Sequence, residues 1–343
     1  MTRLRGVKMR RLARAAAQRI APGTLILLYH RVAEPDCDPW SLCVSPRHFD
    51  EHLAVLRGRV RPLAALSATE KGGSGAAGCV VVTFDDGYAD VGAVARPLLE
   101  RYDVPATVFI TTGGVGCGAP FWWDELAALL RRPHPLPSEL DLRIRGVLHR
   151  FTLRDETCGS GPSDADPERD VSGRVSGATR AQLLQSIHRL LGDLMEEERS
   201  EQLVALRAWA NVRTPPEPVD RVLRGDEVVE LAASRMIEIG AHGVTHSRLP
   251  ALAPAAQERE IRGSGAFLET LIGRRLESFA YPHGLHEATT RRLVRESGFA
   301  RACTSAPGIA RGFTDPLRLP RVWAPDCDGE SFSRFLHRLG FAC

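Results

Sequence analysis

Seven short apolar runs, interleaved with helical stretches, constrain this 343-residue chain more than any other feature. They occupy 24–30, 79–84, 106–111, 236–240, 278–281, 299–304 and 317–323. Each is short and rich in β-branched or aromatic residues, which suits a buried strand, while the intervals carry apolar residues at helical spacing. Strands alternating with helices build parallel βα units. Titratable side chains gather just past the strand ends: His30, Asp85, Asp86, His242, His283 and Arg321. In a βα barrel all those ends open on one face, where such folds place their sites. The predicted fold is α/β, a distorted or incomplete (β/α) barrel of about seven parallel strands.

The central run, Cys79-Val80-Val81-Val82-Thr83-Phe84, breaks off into Asp85-Asp86-Gly87. Side chains alternate along a strand, so two adjacent carboxylates share one site only where the strand is already turning. One carboxylate can then ligate a metal while the other stays free as a base. The competing reading is a strand end followed by an ordinary Asp-Gly turn. Downstream lies His242-Gly243-Val244-Thr245-His246. Histidines at i and i+4 share one face if this segment starts a helix, and both imidazoles can then reach one cation. Together with the aspartate pair this suggests a mixed His₂-Asp site with open positions for water, which is a catalytic pattern more than a structural one.

Domain organisation follows from composition. Residues 1–23 form a basic head in which Arg3, Arg5, Lys8, Arg10, Arg11, Arg14 and Arg19 precede any acidic residue, so the net charge of +3 becomes a negative balance over the rest. That body is no nucleic-acid surface. The head itself reads either as a basic amphipathic helix making peripheral membrane contact or as a frayed terminus. Residues 24–132 and 219–343 are expected to form the two parts of the barrel. Between them, 133–218 is expected to be a helical, partly disordered insertion or lid, with Thr157–Thr179 mobile and Arg180–Ala210 a single helix. A glycine-rich stretch, Lys71–Gly78, reads as a linker. No secretory h-region and no stretch of ~20 apolar residues is present. Eight cysteines lack C-x-x-C spacing. Reduced thiols in a cytoplasmic protein are the simplest expectation.

Taken together, Thr83-Phe84-Asp85-Asp86-Gly87, His242-x-x-x-His246 and Phe279-Ala280-Tyr281-Pro282-His283-Gly284 resemble the polysaccharide deacetylases, the NodB-homology or carbohydrate esterase 4 group. The third element is similar to that family's Phe-Arg-x-Pro-Tyr-Gly loop. The resemblance implies Asp86, His242 and His246 as ligands of a divalent metal, with zinc the default, and Asp85 as catalytic base. It implies that the backbone N–H at His283 helps to hold the oxyanion, and it places Tyr281 in the substrate loop. This chain departs from the pattern at Ala280, where the family carries an arginine, and at His283, where it carries tyrosine. A branch that includes exopolysaccharide deacetylases begins with a strand ending in Tyr-His, as Tyr29-His30 does. That branch implies His30 as general acid and leaves Arg321 to orient Asp85. The competing readings are a strand-end histidine bonded to backbone and a structural ion pair.

Trp123 and Trp323 are candidate sugar platforms, although paired tryptophans such as Trp122-Trp123 also anchor helices to a core. The expected function is removal of N-acetyl groups from an acetylated glycan. Two alternatives stay open: an amidase on a small non-sugar C–N substrate, and a non-catalytic glycan-binding relative.

Overall fold

The computed structural model describes residues 23–66, 78–131, 135–154, 175–212 and 221–341. The basic head, most of the Lys71–Gly78 linker and most of Thr157–Thr179 lie outside the described residues. The chain divides into two compact units, one running to Gly118 and resuming at Val222, the other spanning Ala119–Arg221.

The first unit is built on strands β1 (Leu25–Tyr29), β2 (Val80–Phe84), β3 (Ala106–Ile110), β4 (Ile237–Ala241), β5 (Ser278–Ala280), β6 (Arg301–Cys303) and β7 (Val322–Trp323). They form one sheet in the order β7-β1-β2-β3-β4-β5-β6, every neighbouring pair parallel. The sheet curls into a distorted barrel with a thin seam. Leu319 pairs beside Cys303 of β6 while Val322 pairs beside Leu27 of β1, so a few residues join the two edges.

Strand alternation sorts the side chains. Ile26, Val81, Phe109, Ala280 and Cys303 fill the lumen with Leu63, Ala310 and Leu319. Their neighbours Leu25, Leu27, Val82, Phe84, Val108, Ile110 and Ile239 face the helix layer. Gly240 makes the lumen fit. A Cβ there would lie 2.5 Å from the Phe109 ring and 3.0 Å from the Ser278 carbonyl oxygen. Gly240→Ala should therefore destabilise the barrel by about 1–3 kcal/mol through overpacking. A lower denaturant midpoint at unchanged m-value would register this.

The covering helices are α1 (Pro46–Leu56), α2 (Arg96–Tyr102), α3 (Gly225–Ala233), α4 (Pro254–Ile272), α5 (Ala288–Glu296) and α6 (Gly329–Arg338). Ser45 caps α1, its hydroxyl accepting from the His48 N–H at 3.2 Å, as the Ser-Pro signal predicts. Helix α6 has no counterpart among the sequence expectations. Asp328 caps it by accepting from the Ser331 N–H at 2.7 Å, and its Phe332 stacks on His52 of α1 with ring centroids 3.8 Å apart. Cys303 is buried in the lumen and Cys79 half-buried, and the six described cysteines are free thiols. No helix among the described residues is long and apolar enough to cross a membrane.

The second unit corrects the expected insertion. It is wider than 133–218 and contains a three-stranded sheet beside its helices. Glu139–Ile144 and Val147–Leu153 pair antiparallel through Arg145 and Gly146, both at positive φ, as a tight hairpin turn requires. Val175–Ala178, the end of the stretch expected to be mobile, adds a third strand beside Val147–Leu153. The strict exposed-buried alternation of Glu-Leu-Asp-Leu-Arg-Ile over 139–144 is the signal for the first strand. Nor is Arg180–Ala210 one helix. It breaks into Arg180–Gly192 and Glu196–Trp209. The buried Arg199 guanidinium spans the break, donating to the carbonyls of Leu191 and Leu194 at 3.2 and 2.8 Å.

Candidate active site

Where β2 ends, the chain turns sharply. Asp86 (φ +72°) and Gly87 (φ +86°) are both left-handed, a conformation that Asp tolerates better than most residues and that Gly adopts freely. The turn brings consecutive carboxylates to one side. Asp85 Oδ2 lies 3.8 Å, and Asp86 Oδ1 3.5 Å, from His242 Nε2.

His242 and His246 do not sit on a helix, contrary to the condition set by their spacing. They lie on the loop after β4, which turns left-handed at Gly243 (φ +78°) and again at His246 (φ +55°). This double turn, and not a helical face, folds the second imidazole back. His246 Nε2 lies 3.4 Å from Asp86 Oδ1. Donor atoms of Asp86, His242 and His246 all fall within 4.8 Å of one another. His242 Nδ1 donates to the Ala280 carbonyl at 2.8 Å, which fixes the tautomer and leaves the Nε2 lone pair facing the cluster. Burial also holds the His242 pKa below its ordinary value, against the pull of Asp85, so the ring stays neutral and able to ligate. Asp86 Oδ1 is buried and faces both imidazole Nε2 atoms. Two imidazole nitrogens and one carboxylate oxygen, held this close, suit a divalent cation of the zinc type.

Asp85 is held differently. Arg321, fully buried, grips it with both guanidinium arms, Nη1 to Oδ1 and Nη2 to Oδ2, each at 2.6 Å. The same guanidinium donates through Nε to the Thr304 carbonyl at 2.9 Å and reaches the Thr83 hydroxyl at 3.3 Å. Burial alone would push the Asp85 carboxyl up. Arg321 and His242 outweigh it and hold the group below the usual carboxylate range.

His30, just past β1, is buried, and its ring packs on Trp323 with centroids 4.5 Å apart. Burial pushes its pKa down to about 4, with Asp85 opposing and Arg321 and His242 adding to the shift. Trp323 keeps 45% of its surface exposed, so one apolar face stays open beside His30. His283 is exposed on the turn after β5, at φ +57°, and its ring meets His246 with centroids 4.5 Å apart.

Two expected substrate residues lie elsewhere. Tyr281 is fully buried, and its hydroxyl donates to the Leu317 carbonyl at 3.0 Å. Strand alternation carries Ala280 into the lumen and turns Tyr281 toward Phe279 and the helix layer, so it is a core residue. Trp123 belongs to the second unit, where it is buried and stacks on Phe121 at 4.4 Å with ring planes 7° apart, leaving no open platform. Sequence reasoning missed Thr83 and the Ala280 carbonyl. Thr83 shares the inward face of Asp85, two residues on, which was its one readable signal. A cavity of about 390 Å³ opens at the other strand ends, among Pro62, Ala106, Ile237 and Leu276, and includes none of these groups.

Residues 72–138 and 201–302 match the family described as polysaccharide deacetylase. A Bacillus subtilis (strain 168) protein whose name marks it as a candidate polysaccharide deacetylase, YxkH, is 30% identical over 95 residues, covering 26% of this chain and 33% of its own length. Among solved structures, the Streptococcus pyogenes deacetylase PplD in complex with acetate is similar at a TM-score of 0.55 and 17% identity, over 92% of this chain and 99% of that one. BC0361, a polysaccharide deacetylase from Bacillus cereus, is similar at 0.54 and 16%, over 92% of this chain and 69% of that one. These two likenesses speak for the fold. The sequence matches, of which the family match takes in Asp85, Asp86, His242 and His246, make the chain similar to the polysaccharide deacetylase family.

Proposed function

We propose that this protein is a metal-dependent N-deacetylase that removes acetyl groups from an amino-sugar-containing glycan. The observation that carries the reading is the division of labour between adjacent carboxylates. Asp86 joins His242 and His246, while Asp85 is gripped by Arg321 beside them. Asp86 and the two histidines would hold the metal. When bound there, a divalent cation, zinc by donor chemistry, supplies Lewis acidity toward the acetyl carbonyl and lowers the pKa of a water to ~7.

Asp85 is the base. Arg321 keeps it ionised and aimed, so it can take the proton of the attacking water. With its pKa depressed, Asp85 is a poor resting place for that proton. His30, at about 4, is the more basic of the two and can receive it, then hand it to the departing amine. The open face of Trp323 suits the apolar face of a pyranose ring. The turn at His283 offers a backbone N–H to the developing oxyanion. The Arg321 fork also argues against a relative that lost catalysis with the arginine at position 280. A guanidinium reaches the base from the residue just before β7.

Metal analysis with acetate release from N-acetylglucosamine oligomers tests the reading. Wild type should hold about one divalent metal per chain, and His242→Ala should lose metal and acetate release together. Normal metal content without any acetate would transfer support to the glycan-binding alternative. Peripheral membrane contact through the basic head remains part of the proposal and needs only a vesicle sedimentation assay with and without residues 1–22.

A further inference from the structure

The loop that carries both histidines is held from two sides, and one of its holders is an acidic residue that no motif marks. Glu260, on α4, accepts three hydrogen bonds from this loop. Its Oε2 takes the Val244 and Thr245 N–H groups at 2.8 and 2.9 Å, and its Oε1 takes the Thr245 hydroxyl at 2.8 Å. Thr245 in turn bonds the Ser247 hydroxyl at 2.6 Å. From the other side, the Thr112 N–H donates to the Gly243 carbonyl at 3.1 Å and the Gly113 N–H to the Val244 carbonyl at 2.8 Å. That approach is close enough that a Cβ at Gly113 would lie 2.7 Å from the Val244 oxygen. A Cβ at Gly243 would likewise meet Glu260 Oε2 at 3.1 Å.

We propose that Glu260 is a positioning residue for the metal site, fixing the left-handed loop that presents His242 and His246 to Asp86. The inference rests on the metal reading above. Left-handed backbone at a non-glycine residue is strained, and His246 at φ +55° persists only where surrounding bonds over-determine it. The bonds that do so fall on Val244 and Thr245, between the two imidazoles. Without Glu260, the loop keeps the Thr112–Gly113 contacts on one side only, and His246 is free to relax away from the carboxylate.

Zinc affinity, measured by competition with a chromogenic chelator, should weaken about 10–100-fold in Glu260→Ala, the range typical when support of a ligand is removed. Glu260→Gln should recover most of the affinity, because its amide oxygen can take both N–H groups while its NH₂ faces the Thr245 hydroxyl. Thr245→Val, which removes one bond of the three, should fall between wild type and Glu260→Ala. Melting with and without zinc separates positioning from plain stability. A positioning role shrinks the rise in Tm that zinc confers, since that rise depends on affinity. Wild-type zinc affinity in Glu260→Ala, or an undiminished zinc-dependent rise in Tm, overturns the proposal. If Glu260→Ala does not fold, wild-type affinity in Thr245→Val overturns it instead. Failure of wild type to take up zinc defeats the metal reading itself, a result distinct from either.

Discussion

Arg321→Ala should be among the most damaging single substitutions in the chain, costing about 3–5 kcal/mol of stability, because it leaves the Asp85 carboxylate buried without its cation. The cause is geometric. Arg321 is fully buried, both of its arms end on Asp85 at 2.6 Å, and its Nε is committed to the Thr304 carbonyl. Without it, burial becomes the dominant influence on Asp85, and the carboxyl pKa moves from below its ordinary value to above it. The sign of the pH effect follows. In wild type the depressed pKa makes the ion pair's contribution complete above the unfolded carboxylate value of ~3.9, and it is lost as pH falls through the lower folded value. In the variant, residual activity should show an acid limb displaced to higher pH, since the base must first lose its proton. Combining Arg321→Met with Asp85→Asn should recover much of the stability, as neither charge then remains buried, and none of the activity. A pH–rate profile and a denaturant titration check both halves. An acid limb that stays in place in Arg321→Ala would deny Arg321 its hold on the base.

The barrel was legible because its strands are buried on both faces and so read as continuous apolar runs, each too short for a helix. Site residues on the strand ends were legible for the same reason, since a run that stops at a charge marks its own end. Legibility failed wherever the outcome depended on a dihedral angle or a distant partner. The spacing of His242 and His246 suggested a helical face, yet a left-handed loop delivers the same reach, and nothing in five residues tells the two apart. Arg321, by contrast, was expected to orient Asp85 on the strength of the resemblance, and the thin seam between β6 and β1 brings the two together across 236 residues. Glu260 had no signal at all, because its three bonds go largely to backbone. Tyr281 is the instructive error. Alternation from the lumen residue Ala280 already turned it outward, and reading the loop as a motif concealed a parity that the strand displayed. The sheet in the second unit was similarly available in the alternation over 139–144.

Asp85→Asn and Asp86→Asn, one residue apart, should fail in opposite ways. Asp85→Asn should lower kcat by about 10²–10⁴-fold, the usual contribution of a positioned base, while zinc binds as in wild type. Asp86→Asn should lose zinc affinity by more than the roughly 10–100-fold seen when only a ligand's support is disturbed, and activity should return in part when zinc is raised. Stability should separate them as well. The amide at position 85 still accepts one guanidinium N–H but no longer neutralises Arg321, so the fold should weaken, whereas the change at position 86 leaves the Arg321–Asp85 pair intact. Zinc titration, kcat at saturating zinc and a denaturation midpoint on both variants decide the matter. If Asp85→Asn loses zinc as fully as Asp86→Asn, the two carboxylates form one ligand set and the base must be sought elsewhere. Separate failures would trace the division of labour to one structural cause, the left-handed turn at Asp86 that lets neighbours on a strand face the same site while keeping different partners.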